Sequence, residues 1–250
     1  MLNGLLRKLL NSRNRYIYRA MEIPFGFDWC LDISYLLGTE VAVVTCFDVG
    51  ANTGQTATRL VKAFPRADIF SFEPVPQTFG EMQSNVANMP NVRTYNIGFS
   101  DRLGQCTMRV ADECGRNRIG ADDGGKSVLV QLDTLDGFCD EHKIRELTVL
   151  KIDVEGHEMS VLRGATSLLQ EKKVNYVLCE CDFNANEDEP HGDFYEISAF
   201  MKSYDFRIIS FYTGGVGEDG WVWGDVLFAR ADAIETKSVA CSPLERSLHS

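Results

Sequence analysis

The 250-residue chain is poor in several things that would have settled its class at once. It has no apolar run near 18 residues, which excludes a membrane-crossing helix read from sequence. Its eight cysteines include no C-x-x-C pair, and only Cys179 and Cys181 sit close together, so neither a zinc knuckle nor a disulfide framework is indicated. No apolar h-region with a small-residue cleavage site opens the chain, and the reading is a cytoplasmic protein with reduced thiols. Basic residues are scarce as well, with 25 Lys and Arg against 36 Asp and Glu. Five of the 25 fall within the first 21 residues, which hold no acid, and removing them leaves 20 against 36, a net of −16 for the rest. A body of that charge repels phosphate backbones, so nucleic acid is not an expected partner.

What is present describes one globular domain with a short appendage: 44% apolar, 10% aromatic and 24% charged residues. A chain this long removes about 70–75% of its unfolded surface from water and needs no staples. The boundaries read as a helical extension over 1–40, a catalytic-sized domain over 41–232 and a tail over 233–250. Leu2, Leu5, Leu6, Leu9 and Leu10 recur at helical spacing among Arg7, Lys8, Arg13, Arg15 and Arg19, which predicts an amphipathic helix over 2–19. Such a stripe packs on the body, pairs two subunits into a homo-oligomer, or lies peripherally on an anionic membrane, and all three readings stay open.

From Val41 the pattern changes to VAVVTCFDVG, a continuous apolar run ending in an acid and a glycine, as a buried parallel strand does. Helix and strand patterns then alternate through ADIFSFEP, EMQSNVAN, VRTYNIGF, ELTVLKIDVEG, MSVLRGATSLLQ and VNYVLCEC, which predicts an α/β fold with helices on both faces of a parallel sheet. The end differs, because DFRIISFY and WVWGDVLFAR are separated only by a glycine-rich link and read as an antiparallel hairpin.

Chemistry gathers at the predicted strand ends, where such sheets bind ligands. In FDVGANTG the chain leaves a strand, turns on Gly50 and enters a helix near Gly54, so backbone N–H groups are expected to face the strand end. A dinucleotide site favours G-x-G-x-x-G, with a glycine where this chain has Asn52. The spacing here is G-x-x-x-G with Asp48 two residues earlier, better suited to a cationic or zwitterionic ligand end, and it disfavours an NAD-dependent oxidoreductase. Glu73 follows Gly54 by 19 residues, close to the roughly 20-residue offset at which an acid meets a ribose diol. Together the two motifs indicate a nucleoside cofactor. Ser100 and Asp101 follow the next strand, as acceptors for an adenine amino group or as a plain helix cap.

These residues carry a family resemblance. FDVGANTG, SFEPVPQTF, IGFSDRLG, QLDTLD and, most specifically, LKIDVEGHEMSVLRGA resemble the FkbM family of S-adenosylmethionine-dependent methyltransferases over Cys46 to Arg230. The resemblance implies a Rossmann-like class I methyltransferase fold, a seven-stranded, mostly parallel sheet with a C-terminal antiparallel hairpin. It implies S-adenosylmethionine as cofactor and O-methylation of a sugar, glycan or small-molecule hydroxyl. Carried over by position, Asp48, Gly50, Asn52 and Gly54 form the methionine-side loop, Glu73 meets the ribose, and Ser100 and Asp101 lie beside adenine. Asp153, Glu155, Gly156 and His157 match the segment beside the transferable methyl, although the family more often has a small or apolar residue at 157.

A hydroxyl nucleophile must lose its proton during or after attack, so a base is needed nearby. Asp153, His157 and Glu180 are the candidates, with Asp153 also counted among the cofactor-facing residues. Asp153, Glu155 and Glu180 holding a divalent cation is the competing arrangement, and no metal is assigned. The polar, glycine-rich stretch from Ala111 to Lys126, with Arg116 and Arg118, reads as a lid or as a connector. A scaffold that kept the fold and lost catalysis is the alternative from another functional class.

Overall fold

The computed structural model describes residues 23–38, 44–109, 118–119, 127–184, 192–212, 214–217 and 220–234. The predicted helix over 2–19, Arg116 and most of the 111–126 stretch, and the tail beyond 234 lie outside them.

The first element among the described residues is helix α1 (Trp29–Leu37), started by Asp28, whose side chain accepts the Cys30 and Leu31 N–H groups. Strand β1 (Thr45–Val49), helix α2 (Gln55–Ala63), strand β2 (Asp68–Phe72), helix α3 (Pro76–Val86) and strand β3 (Val92–Tyr95) follow in strict alternation. Proline at the first position of α3 costs nothing, because that N–H has no intrahelical partner. A short strand pair and its continuation come next: β4 (Gly98–Phe99), β5 (Gly104–Arg109), β6 (Arg118–Ile119) and β7 (Ser127–Asp133). Alternation resumes with α4 (Leu135–His142), β8 (Leu147–Ile152), α5 (Glu158–Arg163), α6 (Thr166–Gln170), β9 (Val174–Asp182) and α7 (Phe194–Ser203). The last elements among the described residues are β10 (Phe206–Phe211), β11 (Gly215–Gly217), β12 (Gly220–Arg230) and α8 (Ala231–Ile234).

The main sheet runs β10-β12-β9-β8-β1-β2-β3, with β11 added on β12. Strands β3, β2, β1, β8 and β9 are parallel neighbours, and β12 inserts antiparallel between β9 and β10. This is the expected parallel sheet closed by an antiparallel hairpin. Because side chains alternate across a strand, its odd and even positions build two cores. Phe47, Phe72, Leu150 and Val177 pack with α4 to α7 on one face, and Cys46, Ile69, Val149 and Leu178 pack with α1 and α2 on the other. Helix α1 is tied to the residue that follows β10, since the Tyr212 hydroxyl donates to the buried Asp32 carboxylate at 2.7 Å.

A second sheet, order β4-β7-β5-β6, was not legible as strands. It rests on a small core of Val75, Met108 and Val130 above the carboxyl ends of β1 and β2. Its strand β5 is exposed at most positions, so the sequence there shows no apolar run to announce it.

Candidate active site

One cavity of about 220 Å³ opens at the carboxyl ends of β1, β2, β8 and β9. Gly50, Asn52, Glu73, Asp153, His157 and Glu180 line it, with Glu155 beside them and Gly98, Phe99, Met108 and Leu132 of the second sheet as a wall. Residues separated by up to 130 positions are thus brought together. Asp48, Gly54, Ser100 and Asp101 do not line it.

The turn after β1 is built differently from an anion cradle. Gly50 and Ala51 both donate their N–H groups to the Phe72 carbonyl, at 3.1 and 2.9 Å, and Gly54 donates to Ala51 at 2.8 Å. The Asn52 N–H donates to Glu73 Oε2 at 3.0 Å. The N–H groups expected to greet a ligand are therefore spent within the protein, and Asn52, at a positive φ of 50°, offers its side chain instead. Its Oδ1 is buried and has no hydrogen-bond partner, which is the mark of a site shaped for a donor on a ligand. Gly50 has φ 81°, and a methyl group on its Cα would overlap the Asp153 carbonyl, so only glycine lets β1 and β8 close this floor.

Glu73 is 6% exposed. Its Oε1 accepts the Val75 N–H at 2.9 Å as Oε2 accepts that of Asn52. Burial pushes its pKa up to about 7 against the pull of those two donors. An ionised carboxylate has about four acceptor sites, so two remain for ligand hydroxyls.

The chain leaves β8 through Asp153 and turns on Glu155 and Gly156, both at positive φ. Glu158, one of the residues that the sequence reading passed over, braces this turn: its Oε1 accepts the Val154 and Gly156 N–H groups, each at 3.1 Å. Helix α5 then ends at Gly164, packed so closely on the Ser100 carbonyl that no side chain fits between them. Ser100 is buried in that contact, and its hydroxyl donates to Asp101 Oδ1 at 3.2 Å. Asp101 acts on the site through charge, raising the basicity of His157 against a larger effect of burial that lowers it. The imidazole is consequently neutral at pH 7.

Two more residues escaped the sequence reading. Lys151 lies in the otherwise apolar or hydroxyl-bearing strand LTVLKI and is 6% exposed, with its Nζ 2.8 Å from Asp153 Oδ2 and 3.9 Å from Asp48 Oδ1. A charge in a fully buried strand is the signal that could have found it. Asp225 stands directly opposite Glu180 in the β9 and β12 register. Burial and then the charges of Asp153, Glu155 and Asp225 push Glu180 up to about 8. Burial likewise raises Asp48 to about 6, with Lys151 opposing it. Among the described residues no group of three His, Cys, Asp or Glu side chains is arranged to hold a metal ion.

Strand order, inserted antiparallel strand and strand-end cavity together define a class I methyltransferase architecture. The METTL16 MTase domain shares this fold, with a TM-score of 0.50 at 11% identity over 80% of this chain and 64% of that one. A family model described as the methyltransferase FkbM domain matches residues 48–208, and the chain belongs to that family. Relatives include the hexuronic acid methyltransferase AglP of Haloferax volcanii, 30% identical over 135 residues, which are 54% of this chain and 54% of that protein. The 2-O-methyltransferase NoeI of Sinorhizobium fredii is 24% identical over 148 residues, 52% of this chain and 60% of that one. The chain thus spans little more than half the length of these two relatives. No helix among the described residues is long and apolar enough to cross a membrane.

Proposed function

We propose that the chain transfers a methyl group from S-adenosylmethionine to a hydroxyl of a sugar, glycan or hydroxylated small molecule. One observation carries this: a single cavity holds an acid able to take two ribose hydroxyls, Glu73, and, on the neighbouring strand ends, Asp153, His157 and Glu180. The names of two family relatives, a hexuronic acid methyltransferase and a 2-O-methyltransferase, support a carbohydrate hydroxyl.

The residues present suit the cofactor. Glu73 would accept the ribose hydroxyls, and the partnerless Asn52 Oδ1 would accept a donor from the amino-acid end. Asp48 has no exposed surface and does not line the cavity. When bound, S-adenosylmethionine supplies a methyl carbon on a positively charged sulfur. The protein's work is to align an acceptor oxygen with that carbon, to keep water out and to take the acceptor's proton. Orientation of this kind is worth about 7–11 kcal/mol of barrier. Glu180 is suited to take the proton, because a carboxylate whose pKa lies near 8 is a far better acceptor than an ordinary one. His157, neutral and within the same cavity, is suited to hold the acceptor hydroxyl through a ring nitrogen.

Calorimetric titration with S-adenosylmethionine and S-adenosylhomocysteine, followed by mass spectrometry of hexuronic acids and other hydroxylated acceptors incubated with methyl-labelled cofactor, tests the reading. Binding of both cofactor forms and label on an acceptor oxygen are expected. Failure to bind either form would sink it, whereas binding without any transfer would favour a silent scaffold.

A further inference from the structure

Lys151 lies behind the cavity wall, and no step assigned to the lining residues uses it. Its ammonium is buried and feels three carboxylates: Asp48 on β1, Asp153 just past the end of its own strand and Asp225 on β12. Glu180 stands beside Asp225, while Glu155 and Glu158 add charge from the β8 turn and from α5. Arg59 of α2 opposes them at Asp225 from a distance. Stability alone is a poor reason for such a group, since a buried ion pair often gives way to apolar residues at no loss. The contacts are also unequal. The short one, 2.8 Å, goes to Asp153, which is about one third exposed and lines the cavity, whereas Asp48, fully buried, is held at 3.9 Å with neither oxygen in a hydrogen bond.

We propose that Lys151 is a positioning residue: its ammonium anchors Asp153 through Oδ2, so that Oδ1 is held toward the cavity as the acceptor for the substrate hydroxyl. This rests on the methyl-transfer reading. Asp48, the β1 residue in register with Lys151, adds a second negative charge 3.9 Å from the ammonium. As the new O–C bond forms, Asp153 Oδ1 receives the hydroxyl proton and hands it to Glu180, ending ionised as it began, and Lys151 keeps its own proton throughout.

The test compares Lys151→Met with Lys151→Arg in the full chain, after the native protein has been shown to bind S-adenosylmethionine and to methylate an acceptor. Lys151→Met is expected to bind the cofactor within about threefold of native while kcat falls on the order of 100-fold, the scale of lost acid–base assistance. Its pH–rate profile departs from the native one, because Asp48 and Asp225 lose the cation that favours their charged forms and the charge of Asp225 is one of those that set Glu180. Lys151→Arg keeps the native pH profile, since the charge remains, but loses roughly tenfold in kcat because the guanidinium cannot hold Asp153 in the same place. Native kcat in either variant overturns the inference, as does an unmoved profile in Lys151→Met. Should Lys151→Met not fold, the arginine variant decides. The anchor has a further readout that requires neither cofactor nor turnover: the Asp153 carboxyl ¹³C resonance, assigned with Asp153→Asn, shifts in the variants, and an unchanged resonance overturns the anchor. A native protein that binds no cofactor defeats the functional reading, whereas a shifted Asp153 resonance in that case still supports the contact.

Discussion

The Cα of Gly50 packs directly against the backbone carbonyl of Asp153, with no room for a methyl group between them. This contact joins the first turn of the sheet to the end of its fourth parallel strand. Gly50→Ala is therefore expected to lower stability by at least about 1–3 kcal/mol, from the positive φ alone, and to abolish S-adenosylmethionine binding. Urea denaturation and calorimetry measure the two effects, and a variant with native affinity would show that the floor is not where the cofactor sits.

Glu73 links stability to pH in a definite direction. Its folded pKa, about 7, lies above its usual value of 4.5, so burial favours the protonated form. Its contribution is complete below about pH 4.5 and is lost as pH rises through about 7. Replacing it by glutamine should remove that component of the slope of unfolding free energy between these pH values. Cofactor affinity should fall about 10- to 100-fold, the cost of losing hydrogen bonds to a charged acceptor. Unfolding curves from pH 4 to 8 check the first outcome and calorimetry the second.

The pH dependence of turnover separates the two candidate bases. If Glu180 takes the proton, kcat/KM rises with pH to a plateau above about 8, and Glu180→Gln loses on the order of 100-fold or more with that limb. If His157 is the base, the limb lies below the ordinary histidine value of 6.5, because burial lowers it. The expected result is the limb near 8, with His157→Asn raising KM more than it lowers kcat.

Glu158 is expected to matter without touching a ligand. Glu158→Ala leaves the Val154 and Gly156 N–H groups without their acceptor, a loss of about 1–3 kcal/mol if they stay dry. The β8 turn carries Asp153 and His157, so kcat should fall along with thermal stability, and Glu158→Gln, which keeps one acceptor oxygen, should recover part of both.

The strand-end residues Gly50, Asn52, Glu73, Asp153, His157 and Glu180 were legible because local pattern fixes where a buried strand stops, and parallel sheets gather those stops at one edge. The direction of the N–H groups in the glycine turn was not legible. It depends on Phe72 and Glu73 offering acceptors across the sheet, which is a tertiary matter. The same holds for Lys151 and Asp225: each is one charged residue in an apolar strand until register sets it beside its partners. Ser100 and Asp101, expected beside adenine or as a plain cap, lie outside the cavity lining: the Ser100 hydroxyl donates to Asp101, and Gly164 packs on the Ser100 carbonyl. Most of the second sheet escaped because β4 and β6 are two residues long and β5 is exposed at most positions, so those three lack an apolar signature.

That small sheet supplies Gly98, Phe99, Met108 and Leu132 to the cavity wall while resting on its own three-residue core. Phe99 is shared with the main core, but at Met108 and Leu132 floor and ceiling answer to separate packing. Substitutions at Met108 or Leu132 can reshape the room available to an acceptor while leaving the twin cores of the main sheet undisturbed, so this fold can change its clientele without risking its collapse.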